Sequence, residues 1–431
     1  MVQKKKKWGC LFISTVVVSV VLGQFISVLA QEKPTLNVWF WRSFVKEQNV
    51  YMANQIKAFE QNEGVKVNVS FIPAEEMYRK WMASVEAKTL PDVSEMWVSN
   101  IMQFDHMGVL LNVTDLFTEL NAKCPFSPML TDAVTREGRK IGLPLHTSAE
   151  AHYWRKDILA NLGLSVPDTW DQLKDMAKKI TEKGSFYGFA TALGRPATDG
   201  EKFINTVVWS YGGSVADKKG NLVFKSKETL EAVKYIASLV EEGIMPPGIA
   251  SWDDGGNNRA YQTKWAAGIQ NTASVYNYMR QNDPALLENT AITLICEGPA
   301  GRFSDVSPHA IVANKATRYP EIAKKLIKFI MEPARYQGWI EHAGGQIQPV
   351  YPVLLDNPFW KDPCKKAFAE MGAKYGAYEG WPGPPTAAAG EIFASYVLSD
   401  MIQKIIVYGW TSEKAIDWGF EKAKEIYARW E

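Results

Sequence analysis

Hydrophobic and polar positions change period along the chain, and each change marks an element. In "TLNVWFW" Leu36, Val38 and Phe40 alternate with Asn37, Trp39 and Trp41, the period of a strand. Met52, Ile56 and Phe59 then recur at helical spacing, and Gly64 supplies a stop. "VKVNVSF" alternates again, with Val65, Val67, Val69 and Phe71 on one face. Met77, Trp81 and Val85 mark a second helix, "PDVSEMWV" a third strand, and "IMQFDHMG" a short helix ended by Gly108. The order β-α-β-α-β predicts right-handed crossovers on a parallel sheet.

The middle of the chain reads as more helical. Thr169, followed by Gln172, forms a capping box ahead of a stripe of Leu173, Met176 and Ile180. A second helix carries Leu230, Val233, Ala237 and Val240 and stops at Gly243. Pro320 opens a third, which buries Ile322, Leu326 and Phe329. The last helix buries Ile416, Phe420, Ala423 and Tyr427. Residues 379–391, "EGWPGPPTAAAGE", read as a Pro/Gly-rich loop. No internal repeat and no low-complexity segment is found.

Residues 1–30 stand apart from this pattern. Lys4 to Lys7 precede an apolar run, and "SVLA" ends in Val28 and Ala30 before polar Gln31 and Glu32. That order predicts a secretory signal peptide cleaved after Ala30; a membrane anchor is the alternative, since the apolar run approaches a bilayer span. Cys10 lies before the apolar run, where a lipid-anchoring cysteine would not be. The remaining chain is long enough for two or three ordinary domains. A net charge of +1 gives no electrostatic case for nucleic acid. Cys124, Cys296 and Cys364 are neither a disulfide framework nor a metal spacing, and one disulfide of unassigned pairing is allowed. The 16 tryptophans exceed what core positions need, because a buried indole N–H requires a partner.

Motifs for chemistry are missing. There is no H-E-x-x-H, G-x-S-x-G, Walker A or G-x-G-x-x-G. His106, His146, His152, His309 and His342 are scattered and read as isolated polar side chains. Asp253, Asp254, Asn257 and Asn258 in "DDGGNN" lack the order of a calcium loop and read as a turn. No local signature selects a pair of carboxylates for glycoside hydrolysis. No catalytic residue, cofactor or metal is expected.

The order of fragments resembles a known family, the extracytoplasmic solute-binding proteins of ABC importers, in the maltose-binding-like, oligosaccharide-binding group (family 1). The resemblance is carried by "LNVWFW…NQIKAFEQNEGVKVNVSF", "LPDVSEMWVSNIMQFDHMGVLLNVTDLF", "GRKIGLPLHTSAEAHYWRKDILANLGLSVPDTWDQL", "YGGSV", "AIVANKATRYPEIAKKLIKFI", "HAGGQIQPV" and "TSEKAIDWGFEKAKEI". These run in the family's order over nearly the whole chain after residue 30. Two departures are Trp154-Arg155 in place of Tyr-Asn, and Lys264-Trp265 within "YQTKWAAGI".

The resemblance implies an α/β, two-lobed periplasmic-binding-protein fold, type II-like, with two helix-flanked sheets joined by a hinge. Crossings are expected near Pro144, Gly298–Pro299 and Gln348–Tyr351. They give lobe 1 as 31–143 plus 300–347 and lobe 2 as 145–297 plus 351–431. It implies an exported binding component, periplasmic or at the cell surface, monomeric, not an enzyme, with an ABC permease as partner and an oligosaccharide as ligand. Ligands of open α/β lobes bind beyond the carboxyl ends of strands. That places Trp41, Arg42, Trp97, Ser99, Asn100, His146, Thr147 and Ser148 at the site from one side, and Trp209, Trp252, Tyr276, Tyr278 and Trp381 from the other. Trp39 and Trp81 are expected in the core. A small polar ligand such as a glycerol phosphodiester, a secreted glycosidase and a structural surface protein remain as alternatives.

Overall fold

The computed structural model describes residues 33–430 except 185 and 196. The expected signal peptide lies outside the described residues. Among them no helix is long and apolar enough to cross a membrane.

Eight strands build the two principal sheets: β1 (Thr35–Trp41), β2 (Lys66–Ile72), β3 (Val93–Trp97), β4 (Leu143–His146), β5 (Ala151–Arg155), β6 (Gly268–Asn271), β7 (Thr290–Thr293) and β8 (His309–Ala313). The larger sheet has the order β2-β1-β3-β8-β4, the smaller β6-β5-β7. β1 is parallel to β2 and β3, as the alternation of strands and helices predicts. β8 enters between β3 and β4, antiparallel to both. The chain folds as two α/β lobes, one around each sheet.

Local sequence accounts for these elements. Leu36, Val38 and Phe40 of β1 are buried, while Asn37 between them is exposed. Trp39 is half-buried rather than core; the ammonium of Lys80 stands 5.0 Å from its ring centroid, closing it from outside. Helix α1 (Lys46–Glu63) ends at Gly64 with φ +66°, a left-handed position that suits a residue without Cβ. Helices α2 (Ala74–Glu86) and α3 (Val98–His106) flank the same sheet, and Trp81 of α2 is fully buried with its Nε1–H donated to Ser94 Oγ at 3.0 Å. Helix α4 (Trp170–Lys183) carries the expected capping box, with Gln172 N–H donated to Thr169 Oγ1 at 3.3 Å.

Helices α5 (Thr198–Ser210), α6 (Lys227–Glu241), α7 (Gly256–Gln262) and α8 (Ser274–Asn282) belong to the smaller sheet's lobe. Helix α9 (Pro320–Met331) begins at its proline as expected. The stretch 379–391 is loop only at first. Helix α10 (Ala387–Ala394) starts inside it, because Thr386 Oγ1 caps its first turn by accepting from Ala389 N–H at 3.1 Å. Helix α11 (Ser412–Trp430) closes the chain.

Buried apolar side chains divide as the lobes do. One cluster surrounds the larger sheet and draws on residues 36–145 and 310–360. Two others surround the smaller sheet and draw on 149–306 and 367–426. Pro144 and Leu145 still belong to the larger sheet, and Val306 to the other lobe's core. Tyr351 stacks on Phe126 at 4.7 Å in the first cluster, so the chain is still in that lobe past Gln348–Tyr351. Cys124, Cys296 and Cys364 are all free thiols.

Candidate functional site

The larger sheet delivers its polar residues at one end. His309 opens β8 opposite both Trp97 of β3 and His146 of β4. Glu95, two residues before Trp97, reaches back between the imidazoles. Its Oε1 lies 2.7 Å from His146 Nε2 and 2.5 Å from His309 Nδ1, and its Oε2 accepts Trp41 N–H at 3.0 Å. Burial works against this carboxylate, but the hydrogen bonds from the two histidines outweigh it and take the group down to about 2. Burial, then the neighbouring His146, takes His309 down to about 4. Trp41, His309 and Trp97 stack in sequence at 5.8 and 4.9 Å between ring centroids.

Across from this wall the other lobe supplies the first turn of α5 and the loops beside it. Asp254, ahead of α7, accepts Thr198 Oγ1 at 2.8 Å and Asp199 N–H at 2.9 Å, and so caps α5. Asn257 Nδ2 donates to Asp199 Oδ2 at 3.0 Å. Lys202, one turn on, is buried; its Nζ is 2.9 Å from Glu150 Oε1 and donates to the Ser148 carbonyl at 2.9 Å. Burial raises Asp199 well above the carboxylate range and lifts Asp254 to about 6.

Between the lobes lies a cavity of ≈ 50 Å³. Its walls are Trp41, Phe44, Trp97 and His309 on one side and Asp199, Lys202, Asp254, Asn258 and Asn271 on the other, with Ser148, Ser307 and Gln346 along the floor. A wider mouth of ≈ 230 Å³ adjoins it, bounded by Arg42, Ser43, Glu75, Asp253 and Arg259. Aromatic plates face amide, hydroxyl and carboxylate groups across a gap. That pairing fits a ligand with an apolar face and a polar rim.

The family model described as bacterial extracellular solute-binding protein matches residues 44–336. The chain belongs to this family. The solute-binding protein is similar to the putative ABC transporter periplasmic-binding protein YcjN of Escherichia coli, 22% identical over 77% of each chain. It is also similar to the arabinooligosaccharide-binding protein of Halalkalibacterium halodurans, 22% identical over 64% of this chain and 62% of that one. Among solved structures, maltose-bound MalE3 of T. maritima superposes with a TM-score of 0.80 at 23% identity, covering 91% of this chain and 99% of that one. The two-lobed fold is the one it shares with that protein.

Of the residues expected at the site of this solute-binding protein, the structure brings Trp41, Trp97 and Ser148 to the cavity and Arg42 to its mouth. His146 lies behind the wall, fully buried against Glu95. Thr147 exchanges backbone hydrogen bonds with Gln348 at the crossing. Ser99 and Asn100 are buried in α3, where a Cβ on Gly390 of α10 would stand 1.8 Å from the Ser99 carbonyl oxygen. Trp209 and Trp381 meet at 6.0 Å around a separate space of ≈ 10 Å³ shared with Glu201 and Glu379. Trp252 packs on Trp265 at 5.8 Å. Tyr276 is core, its hydroxyl donating to Asp362 Oδ2 at 3.4 Å, and Tyr278 faces outward, 41% exposed.

The histidines are a correction. His146 and His309 do not stand isolated, because antiparallel pairing sets them side by side whatever their distance in sequence. Asp199 and Lys202 carry no signal in the sequence, and Asp254 none that places it at a binding site. Asp254 belongs to a stretch read as a turn; the turn covers Asp254 and Gly255 only, and Asn257 and Asn258 lie in α7, which begins at Gly256.

Proposed function

We propose that this solute-binding protein captures an oligosaccharide between its lobes and hands it to the permease of an ABC importer. The observation that carries the reading is the cavity itself, with Trp41 and Trp97 facing Asp199, Lys202, Asn258 and Asn271. A pyranose offers apolar C–H faces to an indole and hydroxyls to amides and carboxylates. The ligands named for similar proteins, maltose and arabinooligosaccharide, have this chemistry. A phosphodiester fits less well, since the one lysine at the cavity is already paired with Glu150 and two carboxylates, Asp199 and Asp254, line the wall.

In this reading lobe 1 is 34–147 with 309–361 and lobe 2 is 149–307 with 363–430, the crossings lying where the cores exchange. The ligand touches both lobes only when they are closed, so its differential contacts drive closure. The protein acts as a monomer in the periplasm after loss of residues 1–30, and makes and breaks no covalent bond.

The test is calorimetry on the chain from Gln31 against maltooligosaccharides, laminaribiose and arabinooligosaccharides. One or two of these bind 1:1 and raise the melting temperature, as preferential binding to the folded state requires. Turnover of a bound sugar would overturn the binding-only reading, and absence of any saturable ligand would overturn the capture reading.

A further inference from the structure

Glu95, His146 and His309 stand on three neighbouring strands, β3, β4 and β8, with β8 between the other two. Residues paired across an antiparallel ladder share a face, and so do residues two apart on one strand. The pairs His309–His146 and His309–Trp97 therefore place both histidines and Glu95 on one face at the cavity end of the sheet. One ligand atom from each of the three lies within 4.8 Å of the other two, and Glu95 Oε1 is in direct reach of His146 Nε2 and His309 Nδ1. Among the described residues no other trio of histidine, cysteine or acidic side chains meets this condition.

We propose that these three side chains bind a divalent transition metal of the Zn²⁺ class within the larger sheet's wall of the cleft. Two imidazoles and a carboxylate are a donor set such ions take, with a fourth tetrahedral position left open. Metal bonds of about 2.0–2.2 Å set tetrahedral ligand atoms roughly 3.3 Å apart. The imidazole nitrogens now sit 2.7 and 2.5 Å from Glu95 Oε1, so they draw back by less than about 1 Å.

The surroundings suit an ion. Coordination uses the lone pairs of His146 Nε2 and His309 Nδ1, which donate to Glu95 when no ion is bound, so on binding each ring moves its proton to the other nitrogen. For His146 that nitrogen, Nδ1, already faces the Thr147 carbonyl at 3.4 Å, the outer acceptor that fixes a metal-bound imidazole. Glu95 Oε2 is held by Trp41 N–H at 3.0 Å, which leaves Oε1 to ligate. The ion-pair partners of this buried carboxylate are the two histidines alone among the described residues. Metal-bound imidazoles are neutral ligands, so the donor set carries the one negative charge of Glu95, which a divalent cation offsets. His309 also lines the cavity, so the ion would border the cleft, and the fourth donor we assign is an oxygen of the captured solute. That last step rests on the cleft being the capture site; the ion site itself does not.

The chain from Gln31, stripped by chelator and dialysed, is titrated with Zn²⁺ and Co²⁺. One ion binds per chain. Co²⁺ gives the visible absorption of a four-coordinate nitrogen and oxygen site and quenches tryptophan emission, because Trp97 lies 4.9 Å from His309. Mg²⁺ gives neither signal. His309→Asn lowers zinc affinity at least tenfold, and His342→Asn, at an exposed histidine, leaves it unchanged. Should His309→Asn fail to fold, the Co²⁺ spectrum of the unaltered chain decides. No saturable zinc binding, an octahedral Co²⁺ spectrum, or undiminished affinity in folded His309→Asn overturns the site. Sugar capture by a chain that takes no zinc overturns the ion and keeps the capture reading. Zinc binding by a chain that takes no sugar does the reverse.

Discussion

Trp41 carries the sharpest expectation at the scale of single residues. It is half-buried, borders both the cavity and its mouth, and gives its backbone N–H to Glu95. Trp41→Ala removes the aromatic plate but leaves the β1 ladder intact. Sugar affinity should fall by about 2 kcal/mol, roughly thirtyfold, as for a central aromatic contact, with the melting temperature nearly unchanged. Normal binding by this variant would place the site's lip elsewhere. Glu201 sets a pH dependence. It is fully buried in α5, accepts Ser399 N–H at 2.7 Å, and burial pushes it from 4.5 up to about 8. Between those values the folded chain holds a proton the unfolded chain has lost, so its contribution to stability is full below 4.5 and lost as pH rises toward 8. Asp254 and Asp305, each lifted to about 6 by burial, share the acid half of that window. Glu201→Gln, which cannot titrate, should flatten the decline in melting temperature between pH 6 and 8. Parallel profiles for the two proteins would show that Glu201 is not its source.

Elements with a clean period were legible, and those without one were not. β1, β2, α1, α2 and α4 follow from alternation, helical stripes and end signals, all local in sequence. Thr169→Ala should cost about 1 kcal/mol, seen as a lower urea midpoint at constant slope. Helix α5 escaped notice because every residue from Gly200 to Ser210 is buried, so no polar face betrays its period. With it went Asp199 and Lys202, two of the polar residues of that cavity wall. The Glu95–His146–His309 cluster was hidden for another reason: strand neighbours are set by topology, and no spacing in the sequence encodes them. The approach of α10 to α3 was equally invisible. An added methyl at Gly390 meets the Ser99 carbonyl, backbone that cannot swing aside. Gly390→Ala should therefore destabilise by about 1–3 kcal/mol and weaken sugar binding as α3 shifts. Unaltered stability and affinity would mean that the two helices part freely.

As a whole molecule the protein has a narrow cleft with a wider mouth. The inner cavity of ≈ 50 Å³ is far below the roughly 300–1,000 Å³ of sites that enclose small molecules, so enclosing a sugar there requires the lobes to move apart from this arrangement. Small-angle scattering should find the unliganded chain expanded and a saturating sugar reducing its radius of gyration, while an unchanged radius would exclude lobe closure. The order of strands has a consequence for biosynthesis. β4 has a single partner in its sheet, β8, and β8 is made long after both of its neighbours. A nascent chain that has not reached Ala313 leaves β3 and β4 unjoined, with open edges. The other lobe waits longer still, for core residues between 367 and 426. The larger sheet's lobe cannot complete its core before Trp360 is made, nor the other before Ile426, and such distant pairings are slow to form. Most of the polypeptide is thus synthesised before either lobe's core can be completed.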